Sequence, residues 1–222
     1  MSDILEICCD ASMKTFEDTG RIFTCSGAIC INTDKEVYKV SPDSTNNRGE
    51  LLAVYLAVKL AEETMLTFPN AYSDIYIYSD SQFAVFGLRD WMVKWSRTMD
   101  HHGVIYGSNG LPVKNQNMFM MIITYCVTHN LKIHFFNQKG HVNTNSPKQL
   151  AQANAQFKNA NGYLLKPEEI FKISFYNDIV DKRSRFMLDD VNQFDYPILE
   201  YSDNQPKMCR YVVPKNFKDY IV

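Results

Sequence analysis

The chain lacks several things that would each have pointed to a function. No cysteine pair stands as CxxC, and no cysteine and histidine share the spacing of a zinc site. Of the six cysteines, Cys8, Cys9, Cys25 and Cys30 fall in apolar strand-like runs, Cys126 in a helical run and Cys209 near the end. Such placement reads as reduced core thiols of a cytoplasmic protein. There is no large excess of either charge: the formal net charge is −2. Any contact with a polyanion must therefore come from a local patch. No apolar run approaches the ~18 residues that span a bilayer, so no membrane partner is expected. The opening MSDILEIC has no basic segment followed by a long apolar one, so no signal peptide is expected. Internal repeats and low-complexity tracts are also missing. Ser12 and Ser81 have no His/Asp arrangement to activate them, which argues against a serine hydrolase.

What is present suits a folded domain. The chain has 222 residues, 45% hydrophobic and 22% charged, enough for a sizeable core. Apolar, β-rich runs predict strands over 4–9, 21–32, 36–40 and 131–136, with Thr33-Asp34-Lys35 as a hairpin turn. A fourth strand lies in DIYIYSDSQ, residues 74–82. The loop and cap signal SPDSTNN precedes a helix running to about residue 63, with Glu50 in its first turn. Further helices are predicted over 82–94 and 114–129, separated by a polar loop in which His101-His102 are exposed. Ser146-Pro147 starts a helix and Asn161-Gly162 stops it. Lys166-Pro167 starts another, expected to break near Tyr176-Asn177 and continue to Leu188. Residues 189–222 take no assignment; they are either a small packed extension or a tail for a protein partner.

Acids recur at telling places. An apolar strand ending in an acid puts that acid at the carboxyl edge of a sheet, where α/β folds keep their chemistry. Asp80 follows the fourth strand, Asp10 the first, and Glu50 opens a helix. Three carboxylates gathered in one place need a cation between them. Each acid also has a plainer reading: Asp80 as a helix cap beside Ser81, Glu50 as a complement to the helix dipole, Asp10 as a turn cap.

Four blocks in order, CDAS, TNNRGELLAV, YSDSQFAV and KGH, resemble those of type 1 ribonuclease H. The resemblance covers about residues 4–141. It includes RDWMVKWSR and GLPVKNQNMF, which look like that family's basic protrusion and the helix after it. The resemblance implies an α/β, ribonuclease H-like fold: a mixed five-stranded sheet, three antiparallel strands then parallel ones, flanked by helices. It places a catalytic domain at 1–188, with 143–175 as an inserted helical segment and 189–222 as an extension. It implies a monomeric endonuclease that cuts the RNA strand of RNA–DNA hybrids and leaves 5′-phosphates. Two Mg²⁺ ions about 4 Å apart would serve the reaction, with Mn²⁺ as a substitute and oxygen ligands to match.

By the same resemblance Asp10 bridges both ions, Glu50 and Asp80 complete one, and His141 on a mobile loop moves protons or releases product. The family's fourth carboxylate has two candidate positions. The reading adopted is Asp181, one turn after Asn177 and following an insertion, as the fourth ligand; in the alternative, Asn154 holds the position and three acids remain. Asp181 beside Lys182 and Arg183 also suits a solvated helix face. Asn46, Asn47 and Gln82 resemble the residues that contact 2′-hydroxyls, and Ser12 joins the nucleic-acid contacts. Thr45 looks like part of a pocket for a phosphate of the DNA strand. Trp91, Lys94, Trp95, Arg97 and Lys114 would form a basic, aromatic surface, although Trp91 and Trp95 also have the spacing of core residues. Two other classes stay open: a hybrid-binding or scaffolding module with a weakened metal site, and a resolvase- or integrase-like relative.

Overall fold

Side chains alternate across a strand with a period of two, and here that alternation sorts the interior into two chemistries. The computed structural model describes residues 4–196 and 213–222. Its sheet has five strands in the order β3-β2-β1-β4-β5: β1 (Ile4–Thr15), β2 (Ile22–Cys30), β3 (Glu36–Pro42), β4 (Asp74–Ser79) and β5 (Ile133–Asn137). The pairs β1/β2 and β2/β3 are antiparallel, and β1/β4 and β4/β5 are parallel. This is the mixed sheet expected.

On one face Leu5, Ile7, Ile75, Ile77, Ile133 and Phe135 pack beneath α1 (Asn46–Thr67) and α4 (Gln116–Thr128). The run from α2 (Gln82–Phe86) through a π turn at Gly87–Trp91 to α3 (Met92–Trp95) covers the same face. On the other face Cys8, Ile29, Tyr78 and Phe136 meet α5 (Pro147–Asn161) and α6 (Pro167–Asp189). The alternating Ile and Tyr of DIYIYS thus divide between an aliphatic core and an aromatic one.

Three expectations need correcting. The first strand does not stop at Cys9. No turn residue follows Asp10, so β1 stays paired with β2 out to Thr15↔Ile22, and Asp10 sits mid-strand opposite Gly27. Glu50 is not in the first turn of α1, which begins at Asn46; it lies one residue into the second. Helix α6 does not break near Asn177. That residue is buried and its Oδ1 accepts from Gln138 Nε2 at 2.7 Å, so a poor helix former is held by a tertiary partner. The 143–175 boundary accordingly falls inside α6.

The cap-and-proline reading of α5 matches the structure: the Ser146 side chain accepts from Gln149 N, Pro147 opens the helix, and Gly162 closes it at φ 92°. Cys8, Cys9, Cys25, Cys30 and Cys126 are free and buried; Cys209 lies outside the described residues. Residues 213–222 pack as an extension. Val213, Phe217 and Ile221 enter the aliphatic core, and backbone bonds Ile133 N→Tyr220 O, Val222 N→Ile133 O and Phe135 N→Val222 O cover the outer edge of β5. A covered edge cannot recruit another strand.

Candidate active site

Parallel register delivers two of the acids. Tyr78 of β4 pairs with Cys8 of β1, so two residues further on Asp80 comes level with Asp10. Helix α1 supplies the third. Thr45 caps it, accepting from Arg48 N, and Gly49 lets it close on the sheet: a Cβ there would lie 3.1 Å from Thr24 Cβ and 3.3 Å from Ala11 Cβ. Glu50 follows. Asp10, Glu50 and Asp80 each offer an oxygen within 4.8 Å of the others.

These acids are poorly neutralised by the protein. Ala11 N donates to Asp10 Oδ1 at 2.7 Å and Asn46 Nδ2 to Glu50 Oε1 at 3.4 Å. Glu50 Oε2 is buried without a hydrogen-bond partner among the described residues. Burial, and then the charge of Asp80, pushes the Glu50 carboxyl up to about 8. Burial with the charges of Asp80 and Glu50 drives Asp10 well above the carboxylate range. Asp80 is raised by burial too, partly offset by His141. Carboxylates that cannot all ionise beside one another, with one oxygen unpartnered, fit a hard divalent cation such as Mg²⁺ or Mn²⁺.

Helix α6 brings Asp181 to the same place. A cavity of about 390 Å³ is lined by Asp10, Glu50, Asp80, Asp181, His141 and Ser12, among others. Ser12 Oγ donates to Asp181 Oδ1 at 3.1 Å. Asp181 Oδ2 lies 2.9 Å from Arg185 Nη2 and 3.4 Å from His141 Nδ1. Asn154 is elsewhere. Its amide exchanges hydrogen bonds with both backbone groups of Leu165, tying α5 to the start of α6.

The remaining expected residues divide. Thr45 and Asn47 are exposed at the start of α1, and Gln82 is exposed at the start of α2. Trp91, Lys94 and Trp95 line a separate groove of about 540 Å³ with Tyr106. Their indoles serve as packing too, since Trp95 meets Phe119 at 5.6 Å and Trp91 meets Phe83 at 6.4 Å. Lys114 is exposed but does not line that groove, and Arg97 is exposed on a short 3₁₀ turn. His101 and His102 are exposed, as expected.

Sequence reasoning missed three residues here. A Cβ on Gly140 would sit 1.9 Å from Asp80 Oδ2, so only glycine lets the histidine loop pass this carboxylate. His141 then takes φ 52°, uncommon for a side-chain-bearing residue. Asn137 is buried, and its Nδ2 donates to the carbonyls of Ser79 and Asp80. Arg185 stands one turn after Asp181, a spacing that the sequence did display.

Comparison with known proteins bears on this geometry. The family model for RNase H matches residues 3–158, a span that ends before α6. A ribonuclease H of Prosthecochloris aestuarii is 31% identical over 109 residues, 49% of this chain and 64% of that protein. Another, of Acetivibrio thermocellus, is 34% identical over 118 residues, 52% of this chain and 70% of that protein. The match thus spans less than two thirds of the first relative's length. A solved type 1 RNase H with the type 2 active-site motif aligns with a TM-score of 0.47 at 16% identity, covering 76% of this chain and 81% of that one.

Proposed function

The chain belongs to the RNase H family, and on that premise we propose that it is an endonuclease that hydrolyses the RNA strand of RNA–DNA hybrids and leaves 5′-phosphate ends. One observation carries the reading: Asp10, Glu50 and Asp80, far apart in sequence, converge within 4.8 Å and leave a buried oxygen of Glu50 unpartnered. The residues fit two Mg²⁺ ions, or Mn²⁺ in their place: Asp10, Glu50 and Asp80 would hold one, and Asp181 with Asp10 the other. Held there, divalent metal would supply Lewis acidity for activating a water and for the charge on the leaving oxygen.

The chain's own groups do the rest. Gly140 keeps the loop against Asp80, and exposed His141, beside Asp181, is placed to carry a proton out of the site. Asn46, Asn47 and Gln82 present amides to the 2′-hydroxyls that mark an RNA strand, and Ser12 holds Asp181 in register. The groove of Trp91, Lys94 and Trp95 suits the sugar-phosphate backbone of the DNA strand, with Thr45 at a DNA phosphate and Lys114 adding local positive charge. The same reading makes residues 1–188 the catalytic domain and the protein a cytoplasmic monomer. No helix among the described residues is long and apolar enough to cross a membrane.

A labelled hybrid incubated with the protein and Mg²⁺ tests the proposal. Cutting should be confined to the RNA strand, and Asp10→Asn should lower the rate at least about a thousandfold; full activity in that variant would refute the site. A second reading, a hybrid-binding module with a weakened site, is favoured by the Asp181–Arg185 ion pair, which puts a guanidinium where a cation would otherwise neutralise the acid. Asp181→Asn separates the two: it cripples a nuclease and leaves a binder's affinity for hybrid unchanged.

A further inference from the structure

The carboxylate cavity opens onto a second cleft of about 540 Å³, and Asp80 and His141 line both. One wall is the start of α2, with Gln82 and Phe86. The floor is the segment after β5, with Asn137 and Lys139. The far wall is α5, which presents Gln156 and Asn159. Both α5 amides are exposed, so they are available to a ligand.

Two features make this a built surface. First, α5 is fixed where it meets the sheet. Arg89 Nη1 donates to Phe135 O and Asn161 Oδ1, and its Nη2 to Ala160 O. Asn161 in turn donates to Asn137 O at 2.7 Å and accepts from Asn137 N at 3.1 Å. Gln156 and Asn159, on the last two turns of α5, are therefore held at a set distance from Asp80. Second, the lining has a definite chemistry. Amides supply neutral donors and acceptors, Lys139 supplies one positive charge, and Phe86 adds a ring edge, while Asp80 is the only carboxylate among the lining residues. That set suits a ribose hydroxyl or base edge with an adjoining phosphate. It does not suit a bare metal ion, for which one acid is too few, nor an apolar ligand.

We propose that this cleft is an RNA-strand subsite: Gln156 and Asn159 hydrogen-bond the 2′-hydroxyl or base edge of a nucleotide flanking the scissile linkage, and Lys139 pairs with its phosphate. The inference rests on the hybrid-nuclease reading above. The strand that is cut must lie over Asp80, and the cleft begins at Asp80, so the neighbouring nucleotide of that same strand reaches it first. The tryptophan groove shares no lining residue with this cleft, which keeps the two strands' contacts apart. On this view the segment carrying α5 widens the substrate footprint.

The test is a 2′-deoxy scan. A set of hybrids, each with one 2′-deoxy substitution at successive positions of the RNA strand, is cut by the full-length protein and by the double variant Gln156→Ala/Asn159→Ala. Binding of the same hybrids is measured by anisotropy in the Asp10→Asn background, with and without the two α5 substitutions. Melting curves check that the variant remains folded. The inference expects KM and Kd to rise roughly three- to tenfold, with kcat within about twofold. It also expects the penalty for 2′-deoxy substitution at one flanking position to vanish in the variant. Identical penalty profiles and an unchanged KM, in a wild type that does cut hybrid, would overturn the subsite alone. A wild type that cuts no hybrid would remove the hybrid-nuclease reading and the subsite with it.

Discussion

The two faces of the sheet are built for different ends. The face beneath α1 and α4 is aliphatic and closely packed: Leu5, Ile7, Leu51, Val54, Val58, Ile77 and Ile123 have no exposed surface. The face beneath α5 and α6 buries polar groups among aromatic rings. Tyr78 donates to Glu6 Oε1 at 3.2 Å, Lys172 pairs with Glu6, Gln138 bonds Asn177, and Ser12 bonds Asp181. Burial of apolar surface is non-directional and stabilises whatever packs well, whereas buried hydrogen bonds fix one arrangement. The aliphatic face thus supplies most of the stability and carries Glu50 in on α1. The polar face sets the register of α6 and of the histidine loop, and so the place of Asp181.

Adjacent residues of β4 give the widest test of that contrast. Ile77 is fully buried on the aliphatic face. Ile77→Ala should cost about 2–5 kcal/mol in the denaturant midpoint, with little change in the activity of the folded protein. Tyr78→Phe, on the other face, removes one buried hydrogen bond and should cost about 1 kcal/mol. Equal costs at the two positions would erase the distinction between the faces.

Gly140 probes the seam where the two faces meet. Adding a methyl at a point 1.9 Å from Asp80 Oδ2 forces either the loop or the carboxylate to move. Displacement of a reacting group by about an ångström costs on the order of a hundredfold in rate. Gly140→Ala should therefore lose about that much kcat on a hybrid while its melting temperature changes little. Retained activity would show that the loop is free to give way.

Crowded acids also predict a pH dependence that the aliphatic face does not share. With no cation present the Glu50 carboxyl is raised from 4.5 to about 8. Across that window the folded chain holds a proton that the unfolded chain has released. Unfolding then sheds protons, so stability falls as pH rises from about 4.5 to about 8, by at most about 1.4 kcal/mol per pH unit for this one group. Mg²⁺ should reverse the trend and stabilise more at pH 8 than at pH 5. Denaturation midpoints in chelator and in Mg²⁺ at several pH values check this; a flat profile in chelator would mean that the carboxylates are not forced together.

Much of this was legible in the sequence, for a physical reason. Period-two alternation in DIYIYS, the cap and stop around α5, and the acid that follows β4 are local signals, and local signals survive in a linear reading. What escaped depended on a partner far along the chain. Asn177 looks like a helix breaker until Gln138 supplies its hydrogen bond. Asp181 did not escape: its spacing from Asn177 singled it out, and α6 lying across β1 turns it toward Ser12. Gly140 looks like any loop glycine until Asp80 is found against it. Asn154, the alternative position for the fourth acid, instead ties α5 to the start of α6 through both backbone groups of Leu165.

The smallest expected effect bears on whether the polar face acts on the site through bonding or only through bulk. Asn161 links Arg89 to Asn137, and Asn137 holds the carbonyls of Ser79 and Asp80. Asn161→Ala leaves Arg89 its backbone acceptors but strips Asn137 of both backbone partners. A loss of about 1–2 kcal/mol in stability is expected, since partly buried amide groups are left unsatisfied. If the network positions Asp80, kcat should also fall several-fold, and the Mg²⁺ concentration for half-maximal activity should rise. Asn161→Asp tests the donor separately: it keeps an acceptor for Arg89 and Asn137 N while losing the bond to Asn137 O. Should both variants lose stability with an unchanged Mg²⁺ requirement, α5 is a cover for the sheet on this side, and the acids hold their places without it.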